Sequence, residues 1–260
     1  MRLFSCFLVA ILLAGCAPRP VERAVPETRV GAFPPFDYKA ASLAGENVYR
    51  ISGADSHLAI LARREGPMAR FGHDHVVVAH PEEGYVLIRP MPAESRADVR
   101  FMVHDLAVDP AGAREHYKLD TEPSAEDINH TRDNLFDQVL YPDQWPEIRV
   151  STFFKYATAH PESASVMIHA TVTIRGVERD YQFPARLHSH GDALIMDASM
   201  TLSQTDFGIE PYSALGGMLR VSDTLKVFMH LVAVPLAETQ EEKAAESQRP
   251  ASEKPAWNDQ

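Results

Sequence analysis

The strongest constraint on the fold is an alternation of apolar and polar residues with a period of two. Residues 166–174 place apolar side chains at every second position, with mostly polar ones between them. The same pattern returns in residues 181–187, 194–202 and 225–233. Successive side chains of a strand point to opposite faces of a sheet. Each segment is therefore expected to bury one face and expose the other, as strands of an antiparallel sheet do.

Earlier segments with strand character bring the expected total to about ten. They are residues 48–52, 58–63, 76–79, 85–89, 99–106 and 148–156. The turns between later strands are short, at residues 175–178 and 189–192. This spacing predicts a meander that closes into a barrel or a sandwich. A barrel of this size must fill its middle with side chains or enclose a ligand.

One segment interrupts the alternation and predicts a helix over about residues 125–140. Ser124 and Asp127 stand at the spacing of a capping box, with an aspartate at the acidic position. Apolar residues follow at helical spacing, and Pro142 and Pro146 end the segment. We therefore expect an all-β fold of antiparallel strands, either a barrel or a sandwich, with one amphipathic helix that crosses a barrel mouth or one wall.

The N-terminus is predicted to be a lipoprotein signal peptide covering residues 1–15. An apolar run from Phe4 to Ala14 follows Arg2 and is too short to span a bilayer. It ends in LAGC at residues 13–16, which resembles the lipobox of bacterial lipoproteins. Cys16 would then carry a diacylglyceryl group and an N-acyl chain such as palmitate, enough for stable anchoring. The alternative is an ordinary secretory signal with an incidental cysteine.

The resemblance to a lipoprotein also implies a location. Ala17 follows the cysteine where an aspartate would favour retention in the inner membrane. The expected place is the cell envelope, on the periplasmic face of the outer membrane rather than the inner one. Residues 16–45 are Pro-rich and without a period, and are predicted to be an extended tether whose end Phe33, Phe36 and Tyr38 attach to the domain. Residues 237–260 are predicted to be a disordered acidic tail.

Composition excludes several function classes. The formal net charge of −11 argues against a nucleic-acid partner, because phosphates require a basic face. The only cysteines are Cys6 and Cys16, so residues 46–236 contain no cysteine nucleophile and no thiolate metal ligand. No nucleophile elbow, HExxH motif or phosphate loop occurs either. We expect a protein that is not an enzyme and that uses no catalytic cofactor.

Several short motifs in a fixed order resemble the YceI-like family of bacterial envelope proteins. They are FGHDH at residues 71–75, VLYP at 139–142, TIRGV at 173–177, DFGI at 206–209 and GMLRVSD at 217–223. The resemblance covers about residues 46–235, so residues 46–236 are predicted to be one YceI-like domain. It implies an extended, lipocalin-like antiparallel β-barrel with an apolar tunnel for a polyisoprenoid chain, such as a prenyl lipid or a quinone. The lipobox and the two extensions depart from the usual family pattern.

The predicted ligand-binding residues are large apolar side chains at inward positions, together with one phenylalanine at a tight corner. A flexible thioether adapts well to a mobile lipid chain, which favours the methionines. For any single residue, filling a solid core is an equally good interpretation. The predicted set is Phe101, Phe154, Ile168, Phe183, Met196, Met200, Phe207 and Met229.

Two other functions remain open at this point. His73 and His75 are two residues apart, and His188 and His190 repeat that spacing, which suggests a metal-binding envelope protein as one alternative. The second is an accessory protein that presents a quinone to a membrane redox enzyme, by analogy with YceI-like domains that accompany b-type cytochromes. A homodimer formed through a shared barrel face is compatible with either function.

Overall fold

A computed structural model describes residues 31–160 and 163–236. The predicted signal peptide, Cys16, the first part of the predicted tether and residues 237–260 lie outside the described residues. Among the helices that are described, none has the length and apolar composition needed to cross a bilayer.

Each of the ten segments predicted as strands contains a strand, although the one predicted over residues 99–106 ends at Met102 and continues as a 3₁₀ turn, and the all-β prediction is confirmed. The two-residue strands β3, β7 and β12 and the three-residue β13 were not predicted. The strands are β1 (Asn47–Ile51), β2 (His57–Ala62), β3 (Arg64–Glu65), β4 (His75–Ala79), β5 (Glu83–Ile88), β6 (Arg96–Met102), β7 (Ala107–Val108), β8 (Glu147–His160), β9 (Ser163–Ile174), β10 (Val177–His190), β11 (Ala193–Ser203), β12 (Ser213–Ala214), β13 (Leu219–Val221) and β14 (Thr224–Pro235).

Eight antiparallel strands form a closed barrel in the order β1-β5-β6-β8-β9-β10-β11-β14, and β14 pairs back with β1. The closing pairs join Tyr49 to Pro235 and Ile51 to Ala233. Pairing of every strand removes the free sheet edges that would otherwise expose unpaired backbone groups. We call the end of the barrel at which β14 finishes the closed end.

The first half of β14 has a different partner on the same edge. Residues 226–230 of β14 pair with β2, which continues through β4 to the short β7. One edge of β14 therefore pairs with β2 along its N-terminal half and with β1 at its C-terminal end. The strands β2, β4 and β7 diverge from the barrel at the end opposite the closed end, which we call the open end.

The predicted helix over about 125–140 is present, with a change of winding along its length. It is an α-helix, α3, over Ala125–Asn134 and a π-helix over Leu135–Leu140. The capping box is present: Ser124 Oγ accepts from the Asp127 N–H, and the Asp127 carboxylate accepts from the Ser124 N–H. Two shorter α-helices are α1 (Tyr38–Leu43) and α2 (Ala113–His116), and 3₁₀ turns cover Ala69–Phe71, Pro92–Glu94, Val103–Asp105, Gln204–Phe207 and Leu215–Gly217.

Residues 31–46, which we call the strap, differ from the predicted extended tether. They contain α1, whose N-cap Asp37 accepts a hydrogen bond from the Ala40 N–H. Tyr38 is fully buried, and its hydroxyl donates to the buried carboxylate of Asp98 on the outer face of β6. Burial and the neighbouring Asp98 raise the pKa of Tyr38. The folded part of the chain therefore begins before residue 46, because the strap buries an aromatic ring against the barrel.

Candidate functional site

The inward faces of the strands leave a cavity of about 510 Å³ at the open end of the barrel. That volume is within the range of small-molecule sites. Most of the wall is aliphatic or aromatic, because the period-two alternation directs those side chains inward. The apolar part of the wall includes Leu58, Ile60, Val77, Phe101, Ile148, Val150, Ala170, Val172, Phe183, Val227 and Met229.

Helix α3 and the π-helix that follows it, which together we call the cover helix, line one side of this cavity. Thr131, Asn134 and Leu135 face it, together with the buried Val139 and Leu140 of the π-helix. The exposed residues that also line the cavity are Phe71, His130 and Arg220. The cavity therefore reaches the surface between these three side chains, and we call this opening the mouth.

A buried carboxylate holds the polar side of the cavity wall in place. Asp109 has a fully buried side chain and accepts hydrogen bonds from the Val76 N–H at 2.8 Å and from Arg114 Nη1 at 2.9 Å. A third partner is His75, whose Nδ1 lies 2.7 Å from the Asp109 carboxylate. Burial alone would raise the pKa of Asp109, but the hydrogen bonds from His75 and the Val76 N–H outweigh burial and lower that pKa.

A second acidic residue fixes the loop that precedes β4. Asp74 is buried and accepts from the Arg64 N–H at 2.9 Å and from Arg63 Nη1 at 2.7 Å. Burial opposes the charged form, yet these donors together lower the pKa of Asp74. The backbone carbonyl of Asp74 accepts from Arg114, which links this loop to the Asp109 network. The loop therefore has a fixed position at the mouth.

Five of the eight predicted ligand-binding residues line the cavity: Phe101, Phe183, Met200, Phe207 and Met229. The other three do not. Phe154 and Ile168 are buried in the main core, and Met196 packs against that core. Ile168 precedes the wall residues Ala170 and Val172 on β9, whose first residues pair with the end of β10, so it lies nearer the closed end than they do. Alternation correctly places all of the strand residues inside, but it does not distinguish wall from core.

The histidines do not form the metal site that the sequence left open. Both ring nitrogens of His75 already have protein partners, Nδ1 with Asp109 and Nε2 with Thr131 Oγ1 at 3.1 Å. His73 has its ring 6.2 Å from that of His75, between centroids. His188 and His190 lie on the last residues of β10, at the closed end. Within residues 31–160 and 163–236, no group of three or more histidine, cysteine or acidic residues is arranged to hold an ion.

Sequence reasoning missed most of the polar residues that line the cavity. Arg64, His130, Asn134, Gln204 and Tyr212 all do so. The one available signal was the helix itself, since a helix predicted to cross a barrel mouth must turn some side chains toward the opening. Arg64 and Gln204 reach the cavity through long-range packing, so no local sequence pattern indicates that they line it.

Comparisons with known proteins agree with this architecture. A family model described as the YceI-like domain matches residues 88–233, more than half of the chain. Among solved structures, the fold is similar to a polyisoprenoid binding domain from Saccharophagus degradans implicated in plant cell wall breakdown, with a TM-score of 0.50 and 12% identity over 73% of this chain and 99% of that one. At that identity the likeness supports the fold alone.

A second similar structure is Burkholderia cenocepacia BcnA, with a TM-score of 0.45 and 13% identity over 71% of this chain and 99% of that one. The sequence matches no curated protein. The family match includes β6, β8 to β11, most of β14 and the cover helix, which supply much of the cavity wall, whereas β2 and β4, which also line the cavity, precede it. The chain therefore belongs to the YceI-like domain family.

Proposed function

We propose that this protein binds the apolar chain of an isoprenoid, or of another long apolar lipid, inside the barrel and does so without chemical turnover. The single observation that carries the proposal is the cavity of about 510 Å³ with its largely apolar wall. The polyisoprenoid-binding domain among the similar structures supports the same choice of ligand.

An apolar wall of this kind is sufficient for affinity. An isoprene unit has five carbon atoms, close in size to a leucine side chain, and burying such a group contributes about 2 kcal/mol. A few buried units therefore offset the entropy lost on binding without a specific polar contact. The flexible side chains of Met200 and Met229 in the wall suit a ligand that has many conformations.

The position of the exposed lining residues orients the ligand. Phe71, His130 and Arg220 are the exposed residues of the wall, whereas Phe154 and Ile168, nearer the closed end, are buried and do not line the cavity. An apolar chain would enter with its tail first. Any polar head group would then stay near the mouth, where His73 and Arg64 line the cavity.

We further propose that the protein works in the bacterial periplasm, anchored to the outer membrane through lipids on Cys16. The support is in the sequence: LAGC at residues 13–16 resembles a lipobox, and Ala17 follows the cysteine. Several acyl chains give stable attachment, at about 0.8 kcal/mol per buried methylene. An anchored barrel would keep its ligand next to the membrane.

The test is to express the whole chain in a bacterial envelope, extract it gently and analyse it by native mass spectrometry followed by solvent extraction. We expect a stoichiometric adduct that is released as a prenyl lipid. An adduct of metal mass, or a barrel that stays empty when it is offered farnesol, would contradict the proposal. Peptide mass analysis of the same sample tests acylation of Cys16.

A matched pair of variants shows whether the ligand is in the cavity. Met200→Trp fills the space in the wall, whereas Thr201→Trp puts the same ring on the exposed outer face of β11. We expect Met200→Trp to lower the bound fraction at least about tenfold, since the ring takes volume from the ligand. Thr201→Trp should bind as the unmodified protein does. Equal loss in both variants would place the ligand elsewhere.

A further inference from the structure

Three large apolar side chains are exposed together beside the mouth. Phe71 is 58% exposed, Leu215 is 54% exposed and Met218 is 47% exposed. We call these three residues the rim patch. Isolated exposed apolar residues are ordinary, but a group at the opening of an apolar cavity marks an interaction surface.

The two loops that carry the rim patch are held against each other. The Met68 N–H donates to the Met218 carbonyl at 2.9 Å, and Gly72 packs so closely on Leu219 that a Cβ there would stand 2.8 Å from Leu219 Cδ1. Strand β13 also pairs with β3, through Arg220 and Glu65. The rim patch is therefore a fixed feature of the open end.

The patch is continuous with the cavity. The two loops contribute four residues to the cavity wall: Phe71, Gly72, Ala214 and Leu219. The same loops carry side chains exposed to solvent, those of Met218 and of Phe71 itself. An apolar chain leaving the cavity would cross this patch before it reached water. A partner that covers the patch with apolar groups would spare the chain that exposure.

Charges around the patch suit a lipid interface. Arg70 places its guanidinium 4.6 Å from the centre of the Phe71 ring, and Arg220 lies next to Leu219 with more than half of its side chain exposed. Arginine side chains extend along apolar surface while keeping the charge in water, so they surround membrane-facing residues without opposing burial. Glu65, 3.7 Å from Arg220, balances part of this charge.

The strap delivers the N-terminal part of the chain to the same end. The Gly31 carbonyl accepts from Arg149 Nη1 at 2.6 Å, and Arg149 stands between Ile148 and Val150, two residues of the cavity wall. Fourteen residues, 17–30, lie between the proposed anchor at Cys16 and Gly31. At about 3.4 Å per residue such a segment reaches at most about 50 Å, which limits how far its attachment beside Arg149 can lie from the bilayer.

We infer that the rim patch docks on the lipid bilayer and brings the mouth into contact with it, so that an apolar chain moves between membrane and cavity without crossing water. The inference rests on the proposed lipid-binding function and adds where the ligand is exchanged. It requires no covalent step. Because the contact is mainly apolar, it should form on neutral as well as anionic bilayers.

The test uses residues 16–260 with Cys16→Ser, so that neither the leader nor an acyl chain can insert into lipid. Binding is measured by flotation with vesicles of phosphatidylcholine, and again with vesicles of phosphatidylethanolamine and phosphatidylglycerol. The variant is Phe71→Ser, Leu215→Ser and Met218→Ser combined. The control is Met91→Ser with Phe153→Ser, which removes two equally exposed apolar side chains away from the mouth.

We expect the rim-patch variant to lose at least about tenfold in partitioning to both kinds of vesicle, and the control to float like the parent protein. A parent protein that does not float, or a rim-patch variant that floats as well as the control, would overturn the inference. Binding only to the anionic vesicles would overturn the apolar contact as well.

Farnesol added from cyclodextrin separates this inference from the proposed function. If the rim-patch variant binds farnesol as the parent does yet does not float, the cavity is intact and docking alone is lost. If the parent floats through the rim patch but no form of the protein binds farnesol, the docking surface stands and the proposed lipid-binding function fails. Unchanged thermal unfolding of the variant confirms that it is folded.

Discussion

The Nε2 atom of His75 lies 3.1 Å from Oγ1 of Thr131, and this contact connects strand β4 of the cavity wall to the cover helix. The opposite nitrogen of the same ring is 2.7 Å from the buried Asp109 carboxylate. The His75 imidazole therefore links the cover helix to the buried, charged carboxylate of Asp109. This arrangement suggests how access to the cavity is controlled.

Thr131→Val should loosen the cover helix. The change keeps the shape of the side chain but removes the contact with His75 and the hydrogen bond to the Asp127 carbonyl, at a cost of about 1 kcal/mol in the local opening free energy. We expect faster amide hydrogen exchange in residues 125–134 and faster release of a bound lipid. Thr171→Val, which removes an exposed hydrogen bond on the outer wall, is the control. Unchanged exchange in the helix would show that His75 does not hold it.

Asp109→Asn should destabilise the barrel and reduce its acid sensitivity. The pKa of Asp109 is lowered in the folded state, so its stabilising effect is full above the ordinary aspartate pKa and is lost as pH falls through the lower, folded-state value. Removing the charge leaves Arg114 without its buried partner, which costs about 3–5 kcal/mol at neutral pH.

Urea unfolding at a series of pH values from neutral to acidic measures this effect. The difference between the unmodified protein and Asp109→Asn should shrink as the pH falls. Asp143→Asn changes a fully exposed carboxylate and should leave both the stability and its pH profile nearly unchanged. A constant difference at every pH would contradict the assigned role of the Asp109 charge.

Core and wall residues should respond differently to truncation. Ile168→Ala opens a void in the packed core and should cost about 2–5 kcal/mol in the free energy of unfolding, with little change in lipid affinity. Met229→Ala removes atoms that face the cavity, so it should cost less stability and change lipid affinity more. Denaturant unfolding and farnesol titration of the two variants provide the comparison. The opposite ranking would mean that the ligand reaches the closed end.

Tyr38→Phe should weaken attachment of the strap. It removes the hydroxyl that donates to Asp98 and leaves that buried carboxylate with Ser151 and Arg96, at a cost of about 1–3 kcal/mol. Limited proteolysis should then cut within residues 31–46 sooner. Tyr85→Phe removes a hydrogen bond from a half-exposed ring to Glu83 and is the matched control. Equal protection of the strap in both variants would refute the role of this hydroxyl.

Alternation predicted the strands well because burial on one face is a local property that each segment records. The capping box at Ser124 worked for the same reason, since it involves residues three apart. The helix in the strap carried a weaker signal. Asp37 is an acceptable N-cap, but two prolines precede it, and the six residues of α1 are too few to show a clear helical period. Tyr38 becomes ordered only by burying its ring against a distant strand.

The division between wall and core could not be predicted, because it depends on distance along the barrel axis. Ile168 and Ala170 point inward from the same strand and both belong to the buried core, yet only Ala170 also lines the cavity. The sequence also does not show that one edge of β14 pairs with two strands. The strands β1 and β2 have similar apolar and polar patterns, and either is compatible with that edge. Only long-range pairing decides between them.

The divided edge of β14 has a kinetic consequence. The pairs that seal the barrel lie at the finish of β14, away from the mouth, so widening the open end need not break any of them. Lipid release should therefore follow the motion of the cover helix and its neighbouring loops, with a modest activation enthalpy, whereas global unfolding has a steep temperature dependence. Heating would speed exchange gradually over a range in which the barrel itself stays closed.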